Sequence, residues 1–208
     1  MEKPQYNTGI VKSFVHWSVL WGLVAVLVGV IVSIQMTNPE MNFPPYLTFG
    51  RLRPIHTNAG IYGWGVGVIF ATFFYIVQRL CKTPLWSSKL ATFQLYFFNA
   101  TIIASAVTLI LGFTTSKEYH EMEWPIDLMI VILWVTFAIN IIMTIIKRKE
   151  EQMYISLWYM LAAIVGVAIL FLVNSAAVPV SLFKSYSAFA GTNDANVHWW
   201  FGHNAVAM

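Results

Sequence analysis

Runs of apolar residues separated by short polar connectors dominate the pattern along the chain. Five of these runs hold about 20 residues or more, which is the length that a helix needs to cross the hydrocarbon core of a bilayer. A sixth run begins near Ala195 and continues to Met208. The pattern predicts an all-α membrane protein, a polytopic bundle with five complete transmembrane helices and the start of a sixth. The five complete runs are Phe14–Met36, Thr57–Leu80, Leu90–Phe113, Ile126–Ile146 and Ile155–Val178.

The composition agrees with lipid as the solvent. Only 10% of the residues are charged, whereas a soluble domain has about 25%. The net charge of +3 comes from cations placed between the apolar runs, without the cluster or stripe that a nucleic-acid partner requires. A single cysteine, Cys81, excludes an internal disulfide framework and a cysteine-based metal site made by this chain alone. No second domain is visible, so residues 1–208 are predicted to form part of one transmembrane domain.

The distribution of Lys and Arg predicts the orientation. Eight of the twelve lie before the first apolar run or near the second and fourth connectors. Because cytoplasmic loops are enriched in Lys and Arg, we expect the N-terminus to be cytoplasmic. The third connector then lies outside. It carries three acidic residues that are candidates for a cation site or an interface, namely Glu118, Glu121 and Glu123.

Histidines within transmembrane helices are candidate functional residues, because polar groups at membrane depth are costly. Three of the five histidines have simpler explanations. His16 lies at an interface beside a tryptophan, His120 lies in a connector, and His198 lies at a helix mouth, where water can reach it. His56 and His203 remain as candidates.

His56 stands near the start of the second apolar run, just inside a helical turn that begins at Pro54. Four glycines follow it between residues 60 and 67, and such small residues allow a flat ligand or another helix to approach the backbone. Imidazole is an axial ligand of haem iron, and Arg51 and Arg53 are placed to pair with haem propionates. Close helix packing, with His56 bonded to a neighbour, explains the same pattern equally well.

His203 follows the predicted start of the sixth helix by eight residues, which places it about 12 Å from the helix start. Such a depth requires a partner, either a metal ion or a buried hydrogen-bond acceptor, and imidazole suits copper, iron and zinc alike. A secondary transporter is an alternative, but its site is expected near the bilayer midplane. The neighbours Thr57, Asn58 and Asn204 are candidates to orient the two imidazoles.

Eight short segments of the chain, taken in order, resemble the catalytic subunit of the cbb3-type cytochrome c oxidases, a branch of the haem–copper oxidases. The likeness covers nearly the whole chain. The matching segments are Arg53–Ala59 (RPIHTNA), Tyr75–Arg79 (YIVQR), Ser116–Tyr119 (SKEY), Glu123–Trp124 (EW), Lys147–Glu150 (KRKE), Leu172–Asn174 (LVN), Ala177–Ser181 (AVPVS) and Trp199–Val206 (WWFGHNAV).

The resemblance implies roles for individual residues. His56 would be an axial ligand of the low-spin haem b, and Arg53 would contact a propionate of that haem. His203 would be one of the ligands of the copper called CuB, which faces the high-spin haem b3. Glu118 would contribute to a calcium site, although Glu121 and Glu123 are nearby carboxylates that also suit calcium.

The family's activity is the reduction of oxygen to water with electrons from cytochrome c, delivered by c-type cytochrome subunits in a bacterial inner membrane and coupled to proton translocation. The chain resembles only the N-terminal half of the family's subunit, and the other half carries the remaining copper and haem ligands. We therefore expect a truncated chain that does not reduce oxygen alone. The large subunit of nitric oxide reductase is the nearest rival, since it shares the helix plan and an HTN motif.

Overall fold

The computed structural model describes residues 5–115 and 117–207, and within these residues most of the chain is helical. Five helices are long and apolar enough to cross a membrane. We name them α1 to α5, and α6 is the shorter helix that follows. The helices are α1 (Thr8–Thr37), α2 (Phe49–Leu80), α3 (Ser88–Leu111), α4 (Trp124–Ile146), α5 (Ile155–Asn174) and α6 (Thr192–Ala207). The prediction of a helical transmembrane bundle is confirmed, while the expected end of the sixth helix at Met208 lies outside the described residues.

Short connections make consecutive helices run in opposite directions, so the bundle has two ends with different loops. One end holds residues 38–48, 112–123 and 175–191. We call it the hairpin end, because a two-stranded antiparallel sheet, β1 (Ala177–Ser181) and β2 (Lys184–Ser187), lies there. The opposite end holds residues 5–7, 81–87 and 147–154.

The sequence pattern misplaced four helix boundaries by three residues or more. Helix α1 begins at Thr8 rather than Phe14. Helix α2 begins at Phe49 rather than Thr57, so the first two turns before His56 are already helical. Helix α5 ends at Asn174 rather than Val178, because the residues from Ala177 onward form strand β1. Helix α6 begins at Thr192, three residues before the predicted start.

Strand β1 was missed because apolar residues continue from α5 into it without interruption. Val178 pairs with Tyr186 of β2, and both side chains are exposed. Alternation of buried and exposed positions, which usually reveals a strand, is therefore missing from β1. The hairpin instead contacts the bundle through buried Ser185.

The middle of α2 departs from regular α-helical geometry. Residues Ala59–Val66 form a π-helix, between the α-helical segments Phe49–Asn58 and Gly67–Leu80. Such wide turns are uncommon and occur frequently at functional sites. The π-helix begins three residues after His56 and contains most of the glycine-rich segment that follows this histidine.

An aromatic core joins the first four helices. Phe14 of α1, Phe70 and Phe74 of α2, Phe98 of α3 and Phe137 of α4 are each at most 1% exposed. Their ring centroids lie 4.7 to 6.0 Å apart in edge-on and tilted arrangements, which aromatic pairs prefer.

The outer surface of the helices is apolar as well. On α1, Val26 and Leu27 are 63% and 64% exposed, and α4 and α5 show similar side chains. A soluble protein does not expose such large continuous apolar surfaces. The chain is a multi-pass membrane protein whose outer faces meet lipid or other membrane segments.

Candidate functional site

His56 lies at the start of the third turn of α2, about 10 Å along the helix from Phe49. Its Nδ1 atom is 2.8 Å from the backbone carbonyl oxygen of Ala25 in α1. A carbonyl oxygen can only accept a hydrogen bond, so Nδ1 is the donor, and in the neutral ring Nε2 is the nitrogen that holds the lone pair. Metal-bound histidines commonly hold their second nitrogen in this way, which fixes the ring and raises the basicity of the free nitrogen.

Gly29 of α1 provides the space for this imidazole. A methyl group added to Gly29 would stand 2.7 Å from Cε1 and 2.8 Å from Nδ1 of His56. These distances are shorter than any normal contact between such atoms. Only glycine at this position allows the ring to lie flat against the backbone of α1.

His56 lines two concave regions. One is an apolar cavity of about 680 Å³, and the other is an open groove of about 540 Å³ along α1 that Gly29 and Ser33 also line. Both volumes fall within the range of about 300 to 1,000 Å³ that is typical of cofactor sites. The cavity is bounded by side chains from all six helices, among them Trp21, His56, Phe98, Trp134, Phe171 and Phe201.

This donor set fits a haem. Within the described residues, Nε2 of His56 has no hydrogen-bond partner, Nδ1 is held by a carbonyl, and apolar and aromatic walls surround the space beside the ring. These are the features that an axial imidazole ligand and a flat apolar macrocycle require.

Arg51 has a different position from the one expected for a propionate ligand. Its Nη1 atom donates to the carbonyl oxygen of Ile110 at 2.6 Å, near the end of α3. Gly112, which closes α3 with a φ of +89°, leaves the space that the guanidinium fills. Arg51 therefore caps the C-terminal end of α3, where a cation is favoured by the helix dipole.

Arg53 and Glu118 lie together and form an ion pair. Their side chains are 42% and 52% exposed, so the pair contributes little to stability by itself. The structure thus joins two predicted site residues that the sequence had assigned to different ligands. Both remain at the hairpin end, on the same side of the bundle as His56.

The other acidic residues of this connector point to separate partners. Glu121 is 4% exposed and accepts a hydrogen bond from Asn58 Nδ2 (2.9 Å), and Glu123 is fully buried and accepts one from Ser185 (2.7 Å). Burial raises the pKa of the Glu121 carboxyl, and the bond from Asn58 offsets this only in part. No group of three or more His, Cys, Asp or Glu side chains within residues 5–115 and 117–207 is placed to hold a metal ion. A calcium site at Glu118 therefore rests on the resemblance alone.

His203 lies on α6 with its side chain exposed, and its imidazole is 5.9 Å from the Trp199 ring, between ring centroids. It does not line the cavity beside His56, although Phe201 and Ala205 of the same helix do. The described residues therefore leave its two nitrogens accessible to a ligand on the outer face of α6. His56 lies in the half of α2 nearer the hairpin end, whereas His203 lies in the second half of α6, farther from the hairpin end.

The polar neighbours of the two histidines bond elsewhere. Thr57 donates to the Arg53 carbonyl (3.2 Å), Asn204 to the Trp200 carbonyl (2.7 Å), and Asn58 to the Pro54 carbonyl (2.7 Å). Thr57 and Asn204 bond within their own helices, Asn58 also donates to Glu121, and none of these bonds orients an imidazole. The carbonyl of Ala25 holds His56 instead.

The expectation that His120 and His198 are solvated is wrong. His120 is 1% exposed, and its Nε2 lies 3.1 Å from Asp127 at the start of α4. His198 is partly buried, with Nε2 3.2 Å from Asp194. Other segments of the hairpin end pack against the connector that contains His120, so this loop residue is buried in the structure. His16 is exposed on α1, as its interfacial interpretation predicted.

Sequence reasoning also missed Ala25 and Gly29, which hold and admit His56. The available signal was the repeat of small residues Gly22, Ala25 and Gly29 on one face of α1. That spacing indicates close helix contact, although it does not identify the partner.

Comparisons with known proteins agree with this geometry. A family model described as Cytochrome C and Quinol oxidase polypeptide I matches residues 9–208. A Stutzerimonas stutzeri protein named Cbb3-type cytochrome c oxidase subunit CcoN1 is 46% identical over 204 residues, which cover 98% of this chain and 43% of that protein. A Cytochrome c oxidase subunit 1 homolog of Agrobacterium tumefaciens is 43% identical over 208 residues, with 99% and 39% covered. The chain spans about two fifths of the length of these relatives. It therefore belongs to the cytochrome c and quinol oxidase polypeptide I family, and its resemblance to the cbb3-type oxidase subunits is confirmed.

Proposed function

We propose that this chain forms the haem b side of the catalytic subunit of a terminal respiratory oxidase. The complete subunit would reduce oxygen to water with electrons from cytochrome c, and it would couple this reaction to proton translocation. Bound haem and copper supply the electron-transfer and oxygen chemistry, while the protein supplies ligands, orientation and a dry environment. The chain alone holds one candidate histidine for each type of metal and is proposed to be inactive by itself.

One observation carries this proposal: the hydrogen bond of 2.8 Å between His56 Nδ1 and the Ala25 carbonyl. It fixes the ring and makes Nδ1 the donor, so that Nε2 is the nitrogen left to bind a metal, as an axial ligand of low-spin haem b requires. Gly29 lets the ring approach α1, and the cavity beside His56 offers apolar walls for a flat ligand. Arg53, at the hairpin end, is the proposed propionate contact, for which it would leave its exposed pair with Glu118.

His203 is proposed as a ligand of CuB, which would face the high-spin haem b3 in the complete subunit. Its exposed position on α6 supports this role, because a ligand shared with other parts of the subunit must face outward from the described helices. A metal site with only one of its ligands present binds weakly. The other ligands are proposed to come from the part of the relatives that this chain does not span.

The proposed location is a bacterial inner membrane with the N-terminus in the cytoplasm. In the part of the chain that the structure describes, seven of the twelve Lys and Arg residues lie in or close to the loops at the end opposite the hairpin. This bias predicts that the opposite end is cytoplasmic and the hairpin end faces outward. The proposed partners are c-type cytochrome subunits, which would approach His56 from the hairpin end.

The role of His56 can be tested by reduced-minus-oxidised optical spectra of the purified complex that contains this chain. We expect His56→Ala to abolish the low-spin b-haem signal. His16→Ala is the matched control, because His16 is an exposed histidine on α1 and its loss should leave the spectrum unchanged. A full low-spin signal in His56→Ala would show that another residue binds this haem.

The role of His203 can be tested by copper analysis of the same complex. We expect His203→Ala to lose copper and turnover while it keeps the low-spin haem signal. Normal copper content in this variant would refute the assignment. A parent complex with non-haem iron in place of copper would favour a nitric oxide reductase, and one without haem would favour a transporter.

A further inference from the structure

Lys117 is a cation buried in the connector between α3 and α4, with only 6% of its surface exposed. Lysine is almost never buried to this extent unless it is paired, so its partners identify what the burial achieves. No feature of the sequence separates Lys117 from the exposed charge beside it, and the proposed function does not use it.

The Lys117 ammonium contacts three separate elements. Its Nζ atom donates to the carbonyl of Asn174 at the end of α5 (2.7 Å) and to the hydroxyl of Ser187 in β2 (3.3 Å). It also forms an ion pair with Asp194 in the first turn of α6 (3.2 Å). Ser187 in turn donates to Asp194 at 2.6 Å, which completes a closed set of contacts.

The two helix ends favour this arrangement. A cation at the C-terminal end of α5 and an anion in the first turn of α6 each interact favourably with the helix dipole at that end. Lys117 and Asp194 therefore neutralise each other's charge, and each also interacts favourably with the adjacent helix terminus. The pair joins the start of α6 to the end of α5 and to the hairpin.

Helix α6 has few other anchors. Phe201 is its only buried residue among the described positions, and Gly202 lies against the ring of Tyr119. The polar contacts at Asp194 consequently fix the first turn of α6, from which the rest of the helix extends.

The direction in which His203 points follows from this anchor. An α-helix turns about 100° per residue, so nine residues separate Asp194 and His203 by two full turns and a further half turn. With Asp194 held toward Lys117, His203 must face the opposite side of α6, away from the described helices. The exposure of His203 agrees with this geometry.

We propose that the buried Lys117–Asp194 pair is a positioning device that sets the rotation of α6 and thereby the direction of the His203 imidazole. The rotational role depends only on the contacts above. Its consequence for copper rests on the proposed function, because it requires His203 to be a copper ligand.

The test compares thiol reactivity at two sites on α6, in the complete protein with Cys81 replaced by alanine. Val197→Cys lies on the partly buried face and Ala195→Cys on the exposed face. The charges are removed together by Lys117→Met with Asp194→Asn, since removal of both ions avoids the large cost of leaving one buried and unpaired. We expect the Val197→Cys thiol to react about tenfold faster without the pair, which corresponds to about 1.4 kcal/mol. The Ala195→Cys rate should change little.

Lys117→Arg provides the conservative rescue, because it keeps a cation near Asp194 and should preserve the protection of Val197→Cys. An unchanged Val197→Cys rate in the charge-free variant would overturn the proposal. Circular dichroism and the melting temperature establish that each variant is folded, and a charge-free variant that unfolds would be replaced by Lys117→Met alone, which leaves only the more exposed partner, Asp194, unpaired, with the same expected direction.

A second readout is the copper content per low-spin haem in the complete oxidase. Loss of the pair should lower this ratio, and Lys117→Arg should restore it. If the parent protein holds no copper, the proposed function fails, whereas the thiol rates still decide the role of the pair. Faster Val197→Cys modification with unchanged copper content would support the rotational role and refute the link to His203.

Discussion

Gly29→Ala tests the link between α1 and the His56 ring most directly. The new methyl carbon would stand 2.7 Å from Cε1 of His56, whereas carbon atoms in contact are about 3.5 Å apart or more. The ring must therefore move away from α1 by about 0.8 Å, the difference between these distances. The acceptor of the Nδ1 hydrogen bond, Ala25, lies on α1 itself, so the same movement lengthens that bond.

The bond would stretch from 2.8 Å to about 3.6 Å, beyond the normal range for a hydrogen bond. Loss of one hydrogen bond costs about 1 kcal/mol and overpacking costs about 1 to 3 kcal/mol, so we expect a loss of about 2 to 4 kcal/mol in unfolding free energy. If His56 binds haem, the altered ring should also shift or weaken the low-spin haem spectrum.

The assay is thermal unfolding together with the haem spectrum of the purified complex. Gly9→Ala is the matched control, because Gly9 also lies in α1 and an added methyl group there meets nothing within 4 Å. That substitution should be neutral or stabilising by up to about 1 kcal/mol, since alanine favours helix more than glycine does. Parental stability and an unchanged spectrum in Gly29→Ala would refute the close fit between this position and His56.

Two further predictions concern the hairpin end. Gly112→Ala should lower the melting temperature by more than Gly191→Ala, because both glycines have positive φ but only at Gly112 does the Arg51 guanidinium fill the space of the new methyl group; equal losses would contradict the capping role of Arg51. Glu121→Gln should stabilise the protein above about pH 5 and not at pH 4, measured as melting temperature against pH. Burial raises the folded pKa of this carboxyl above its ordinary value of 4.5, so its contribution to stability is fully present below that value and is lost as the pH rises through the folded pKa. A difference between parent and variant that does not grow with pH would refute this explanation.

The number, order and approximate span of the long helices could be predicted from the sequence, because lipid imposes one dominant rule on all of them. Leu90–Phe113 and Ile126–Ile146 fall within two residues of the bounds of α3 and α4. The rule says nothing about the segments outside the bilayer. The β-hairpin and the buried state of Lys117 and His120 depend on contacts between connectors that are distant in the sequence.

The candidate site was predictable to a similar degree. His56 could be selected because a histidine at membrane depth requires a partner, but the identity of that partner depends on how α1 and α2 face each other. Arg51 illustrates the same limit, since a cation near His56 was compatible with a propionate and the structure places it on the Ile110 carbonyl. Residue type indicated the chemistry, whereas the choice among local partners required coordinates.

The π-helical segment of α2 affects the direction in which the His56 side chain points from the helix axis. Its hydrogen bonds span five residues, so each of its turns contains more residues than the 3.6 of an α-helix. The side chains before Ala59 are therefore rotated about the axis relative to those after Val66, compared with an unbroken α-helix. Phe70 is fixed in the aromatic core. The number of residues in the π-helical segment therefore sets the angle about the α2 axis between the Phe70 and His56 side chains.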